Sequence, residues 1–235
     1  MSRAAAAGRE KMGKSILIYG DSDTWGFDAK TYLETGDQRS RLGEDERFGG
    51  ILRKRLPEGY TVIEEGLSGR TTVLSDPLGE YKNGKTYLLP CLLSHAPLDL
   101  VVLALGTNDM QHCYHFSPVY SAAGIGELIR IIRNSECGRG GGVPQILVVA
   151  PAAFGGGISR SPFADLFDCP ELEEKMRRLS VEYAKTAAQY ECFFLDASTV
   201  ARAGDADGVH LDAENHKKLA FALEGKILSI LHSKA

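Results

Sequence analysis

Lys14-Ser-Ile-Leu-Ile-Tyr-Gly-Asp-Ser-Asp-Thr-Trp-Gly26 opens with an apolar run and breaks into a polar turn at Gly20-Asp21-Ser22. A short, nearly unbroken apolar run that ends at a glycine turn reads as a strand buried on both faces, as in parallel sheets. Working outward, the same kind of run recurs at 60–66, 98–105, 145–150 and 192–196. Helical patterns lie between the runs at 46–56, 86–95, 118–134 and 170–190, and a last one at 213–232 closes the chain. In the 170–190 segment Leu172, Met176, Leu179, Tyr183 and Ala187 recur at three- and four-residue steps, with Glu173, Glu174, Arg177 and Arg178 on the other face. Pro170 stands just ahead of it, where a missing amide costs little.

Strand and helix in alternation predict an α/β fold: a three-layer αβα sandwich around a five-stranded parallel sheet with right-handed crossovers. For five strands the flavodoxin-like order 2-1-3-4-5 is expected, with ligands bound beyond the carboxyl ends of the first and third strands. Ser22 follows the first strand and Asn108 the third, so both point to the same crevice. Three stretches without clear periodicity, 27–45, 109–117 and 151–169, follow strand ends and are expected to rim it.

Ser22 at a strand end is inert unless a base removes its proton. Much later, Asp207-Gly-Val-His210 sets a carboxylate three residues before an imidazole. An Asp beside a His can fix its tautomer and stabilise the imidazolium formed during acyl transfer. Ser22, Asp207 and His210 are therefore the candidate nucleophile, orienting acid and base of an esterase. Taken alone, Gly-Asp-Ser is a common turn tripeptide, and a His near a helix start is more often a cap; their placement after strands carries the reading.

Two further blocks complete a pattern. Gly106-Thr-Asn108-Asp109 follows the apolar run Leu98-Asp-Leu-Val-Val-Leu-Ala-Leu105, and Leu67-Ser68-Gly69-Arg70 follows Tyr60-Thr-Val-Ile-Glu-Glu-Gly66. Together the four blocks resemble those of the SGNH (GDSL-type) hydrolases, from about Lys14 to the C-terminus. The stretches 20–26, 62–72, 98–101 and 105–109 look closest to the bacterial arylesterase and acyltransferase subgroup. The resemblance implies Ser22 as nucleophile and an oxyanion hole made by the amides of Ser22 and Gly69 with the Asn108 side chain. It also implies Asp207 and His210 as the remaining triad members, with no metal or organic cofactor. One departure stands out: the leucine that usually follows the nucleophile is Asp23 here.

The substrate expected is a small ester, either a short aryl or alkyl ester or, as the nearest rival, an acetylated carbohydrate. Trp25, Phe27, Phe154, Phe163 and Val209 suggest an apolar acyl pocket, while Asp37, Gln38 and Arg39 supply a polar lid. Transfer of the acyl group to an alcohol or peroxide is a side activity that the resemblance implies. A rival of another class is a non-catalytic flavodoxin-like module that binds a phosphorylated ligand, which would have no need of Asp207 and His210. Asp21 and Asp109 are read as loop ties, and Arg70 as a wall or packing residue. His112-Cys113-Tyr-His115 has no further ligand at metal spacing and is read as rim.

A chain of 235 residues fits one α/β domain over 12–235 after an extension of 1–11. Its 31 acidic and 27 basic residues are interspersed, with a net charge of −4, which speaks against nucleic acid or an anionic membrane as partner. Cys91, Cys113, Cys137, Cys169 and Cys192 are odd in number and irregularly spaced, as expected of reduced thiols in a cytoplasmic protein. Neither a membrane span nor a signal-peptide core is legible; Ala4–Ala7 is short and acidic Glu10 follows. The aromatic loop 151–169, with Phe154, Ile158, Phe163, Leu166 and Phe167, predicts a homo-oligomer in which it packs on a neighbouring subunit.

Overall fold

Ile16, Leu17, Ile18 and Tyr19 are all without solvent exposure, because the strand they form has a neighbour on each edge and helices on each face. The computed structural model describes residues 13–167 and 170–232; the expected extension over 1–11 and Cys169 lie outside the described residues. In chain order the elements are β1 (Lys14–Gly20), α1 (Ser22–Trp25), α2 (Ala29–Thr35), α3 (Phe48–Arg55), β2 (Tyr60–Gly66), α4 (Gly84–His95) and β3 (Leu100–Ala104). They continue with α5 (Pro118–Asn134), β4 (Gln145–Ala150), α6 (Ala164–Phe167), α7 (Leu172–Gln189), β5 (Phe193–Asp196) and α8 (Ala213–His232). The sheet runs β2-β1-β3-β4-β5, parallel throughout, which is the order expected from the sequence.

Side chains alternate along each strand, so one strand feeds two cores. Leu17, Tyr19, Val101, Leu103 and Val148 pack under α4, α5 and α7 with Leu92, Ile129 and Leu179. Ile16, Ile18, Leu100, Val102 and Leu147 pack under α3 and α8 with Leu52, Leu223 and Ile227. This two-sided burial makes the strands read as continuous apolar runs. β5 is an edge strand with Phe193 exposed.

The boundaries move where capping decides them. Asn83 accepts from the Lys85 amide at 2.9 Å and starts α4 at Gly84 rather than 86. Arg47 is extended and offers no side-chain cap, so α3 begins at Phe48 rather than 46. α2 lies inside a stretch expected to lack regular structure. Asp28 caps its first turn, accepting from the Thr31 amide at 3.1 Å, and Gly36 ends it in the left-handed region. Ala29 is its one buried residue, so the helix has no apolar stripe for a periodicity to reveal.

Cys91, Cys113, Cys137 and Cys192 are free thiols. Among the described residues no helix is long and apolar enough to cross a membrane.

Candidate active site

β1 delivers Ser22 to the carboxyl edge of the sheet, and the short helix α1 turns it back over the strand. Asp21 caps that turn, accepting from the Asp23 amide at 3.2 Å, and Gly26 closes it in the left-handed conformation. The Ser22 hydroxyl lies 3.0 Å from Nε2 of His210. Nδ1 of His210 lies 2.6 Å from Oδ2 of Asp207, whose Oδ1 accepts from the amides of Val209 and His210, each at 2.9 Å. Asp207 is fully buried, and Ser22 and His210 nearly so. The structure thus brings together three residues separated by up to 188 positions in sequence.

Charge sets the protonation of this group. Burial alone would raise Asp207, but its hydrogen bonds to His210 and the backbone, with the His210 charge, hold it below the usual carboxylate value. Burial alone would lower His210, yet its hydrogen bond and attraction to Asp207, together with Asp23 and Asp21, lift it above the ordinary imidazole value. The pair is mutually stabilising, and the imidazole is biased toward accepting a proton.

Asn108 opens a short 3-10 turn after β3. Its Nδ2 donates to the Arg70 carbonyl at 3.1 Å and its Oδ1 accepts from Nε2 of Gln111 at 3.0 Å. These partners fix which end of the carboxamide is which and leave the second Nδ2 hydrogen to face the cavity. Gly69 has φ of +80°, a conformation in which a side chain is strained. Asp109 is buried and accepts from the Thr72 amide at 2.8 Å and from the Thr72 and Ser121 hydroxyls at 2.6 Å each. It ties the loop after β3 to that after β2, as its placement in sequence suggested. Arg70 is buried, donates to the Gly20 carbonyl at 2.8 Å, and lies 4.2 Å over the Tyr19 ring.

Ser22, Gly69, Asn108 and His210 border one cavity of about 880 Å³. One wall is apolar and aromatic. Phe27 lies 4.4 Å from the His210 ring, Phe163 5.4 Å from it, and Tyr32 stacks on Phe163 at 5.9 Å. Val209 and Phe167 also line the cavity, and its polar lining is Gln38, Ser75, Asp76, Lys82, Gln111 and Tyr114, with Lys82 and Asp76 paired at 2.7 Å.

Two expected pocket residues stand elsewhere. Trp25 is not a lining residue; Arg41 covers its ring at 5.1 Å. Phe154 also lies outside the lining and packs on Phe167 at 5.2 Å, in a small apolar cluster with Leu172 and Val209. The same cluster covers within one chain much of the apolar surface of loop 151–169, the segment expected to pack on a neighbouring subunit. Phe167 is 2% exposed, Phe154, Ile158 and Phe163 are half-buried, and Leu166 at 37% is the most open. The loop binds back on the segment carrying Asp207 and His210, with the Gly155 amide donating to the Gly208 carbonyl at 2.8 Å and Ala203 to Ala153 at 2.8 Å.

The three aperiodic stretches do line the cavity, and a fourth, 75–82, which follows the Gly69 block after β2, was missed. Its position beyond a strand's carboxyl end was the signal available for it. Of the polar lid, Gln38 lines the cavity, whereas Asp37 and Arg39 pair with each other at 3.0 Å in the open. Cys113 and Tyr114 border the cavity too. Among the described residues one group, Glu65, Cys91 and His95, brings possible metal ligands within 4.8 Å of one another. There Glu65 and His95 already close a 2.8 Å contact, and burial pushes the Cys91 thiol up to about 12. A hydrogen bond between Glu65 and His95 beside a packed thiol accounts for the group.

A family model described as the GDSL-like lipase/acylhydrolase family matches residues 18–218. Among solved structures, the chain is similar to the inhibitor-bound aryl esterase of M. smegmatis at 35% identity, covering 93% of this chain and 100% of that one, with a TM-score of 0.85. It is similar also to a carbohydrate acetylesterase from Sinorhizobium meliloti at 36% identity, covering 92% and 99%, with a TM-score of 0.83. A lipase/acylhydrolase from Enterococcus faecalis shares the fold at 17% identity and a TM-score of 0.63, covering 91% and 95%. No curated protein matches the chain.

Proposed function

The chain belongs to the GDSL-like lipase/acylhydrolase family, and from that premise we propose that it hydrolyses short-chain carboxylic esters through an acyl-serine on Ser22. The observation that carries this reading is the pair of contacts on His210, 3.0 Å to Ser22 and 2.6 Å to Asp207, at the edge of a cavity that Asn108 also borders. His210 takes the proton of the Ser22 hydroxyl as its oxygen attacks the ester carbonyl. The amides of Ser22 and Gly69 and the Asn108 side chain hold the oxyanion. Collapse of the tetrahedral intermediate expels the alcohol, which receives the proton from His210. Water, deprotonated by the same imidazole, then releases the acid and frees Ser22.

The apolar lining of Phe27, Phe163 and Val209 supports an apolar acyl group seated beside His210. A second reading, an acetylated carbohydrate as substrate, is favoured by the polar lining of Ser75, Asp76, Lys82 and Gln111, which offers hydroxyl partners to a sugar. A panel of p-nitrophenyl esters from acetate to laurate, run beside acetylated xylose, separates the two. Highest turnover on acetate to butyrate is expected, and preference for laurate would refute a short acyl site. Acyl transfer to an alcohol or peroxide belongs to this reading as a side activity, supported by the apolar rings around the imidazole. The free thiols support a reducing compartment such as the cytoplasm.

The deciding experiment is an organophosphonate bearing a p-nitrophenyl leaving group. Stoichiometric labelling of Ser22, absent in Ser22→Ala, is expected, with ester hydrolysis in that variant lowered at least ~10³-fold. An unlabelled protein would be the phospholigand-binding module instead.

A further inference from the structure

Asp23 occupies the position directly after the nucleophile, where an apolar side chain would suit the surroundings. Behind Ser22 lies a small cavity of about 30 Å³ whose walls are Phe48, Val149, Leu211, Leu219 and Leu223 together with Asp21 and Asp23. A carboxylate against such walls is costly unless a donor meets it. One does: Oδ1 of Asp23 accepts from the Leu211 amide at 3.0 Å. Leu211 is the residue after His210, and 188 positions separate the two partners. The bond therefore runs from the helix that carries the nucleophile to the backbone that carries the base.

The other ties on the His210 segment do not do this. The Asp207 carboxylate holds Val209 and His210 within their own turn, and loop 151–169 holds Gly208 and Ala203 from the far side. Neither sets the distance to α1. We propose, resting on the esterase reading, that Asp23 is a positioning residue: by accepting the Leu211 amide proton it keeps the His210 imidazole in reach of the Ser22 hydroxyl.

The groups acting on His210 are Asp207 on its own turn, Asp23 on α1, Asp21 at the cap of α1, and His216 on α8, which burial pushes down to about 3. Burial holds the Asp23 carboxyl above its usual value, and the His210 charge and the Leu211 hydrogen bond offset only part of that rise. The hydrogen bond needs an acceptor oxygen rather than a charge, so an amide can replace the carboxyl at the same place. This separates positioning from electrostatics. Asp23→Asn keeps the acceptor and loses the charge, and Asp23→Leu loses both.

The test measures the second-order rate of Ser22 labelling by the p-nitrophenyl organophosphonate from pH 5 to 9, with kcat and KM for p-nitrophenyl acetate beside it. Asp23→Leu should lower the labelling rate and kcat together by roughly ten- to a hundredfold, with KM within about threefold, because a misplaced base loses orientation rather than binding. Asp23→Asn should stay within about threefold of the parent on the plateau, with its acid limb moved to lower pH because His210 loses a neighbouring negative charge. If Asp23→Leu does not fold, as read by circular dichroism, Asp23→Ala carries the same expectation. A parent protein that is not labelled ends the esterase reading itself. A labelled parent whose Leu or Ala variant reacts at the parent rate overturns only the role of Asp23. Equal losses in Asn and Leu variants overturn it as well, since the charge and not the tie would then matter.

Discussion

Asn108 shows how much of the site's chemistry hangs on single side-chain contacts. Gln111 and the Arg70 carbonyl hold its carboxamide from both ends, so its donor is oriented before any substrate arrives. A donor fixed in advance is worth most where charge develops. Asn108→Ala should accordingly lower kcat by ~10²–10³ with KM little changed; a rise in KM at constant kcat would make it a ground-state contact. His210 gives a second prediction at this scale. Only the neutral imidazole can take the Ser22 proton, and its acidic neighbours lift its pKa above the ordinary 6.5. Activity should therefore be lost on the acid side with an apparent pKa above that value, read from kcat/KM against pH. An acid limb below it would mean that burial outweighs Asp207.

The segment 204–211 depends on how two loops meet. Gly208 has φ of +70°, and a Cβ there would stand 2.4 Å from the Ile158 nitrogen. Both the left-handed backbone and the backbone of loop 151–169 exclude a side chain, each at a cost of about 1–3 kcal/mol. Gly208→Ala should lower the melting temperature by about 5 °C or more and reduce kcat as well, because Asp207 and His210 flank it. Calorimetry and turnover on one preparation check both. A variant as stable and active as the parent would show that the two loops are not coupled through this contact.

The sheet order makes the crevice, since the connections leaving the paired strands β1 and β3 lead to neighbours on opposite sides, β2 and β4, and leave a space beyond the two carboxyl ends. Self-association is a proposal at this scale. Loop 151–169 offers less apolar surface for it than its sequence suggests, because Phe167 is buried and Phe154, Ile158 and Phe163 are half-buried. What stands open at the cavity instead is Leu78, 91% exposed, and Tyr81, 65% exposed. A second copy covering them would narrow the entrance and restrict water. Light scattering at micromolar concentration should give a mass above the 25.5 kDa of one chain; the monomer mass would rule it out.

The sequence by itself determined the strands, most helices, their order and the polar blocks that meet at the cavity. Buried parallel strands carry their own apolar signature, and each block sits directly after a strand or on the last loop. α2 was illegible because a helix with one buried residue leaves no period, although Asp28 and Gly36 bounded it. Of the cavity walls, Phe27, Phe163 and Val209 were legible in the sequence, and the remaining lining was decided by the tertiary structure. Trp25 and Phe27 are two residues apart in the same short stretch, yet Arg41 covers one while the other faces His210. In loops no repeat fixes where a side chain points, so its neighbours are known only once the distant segments have met. The same holds for Asp23, whose partner amide lies at the other end of the chain and belongs to a backbone that only folding brings beside it.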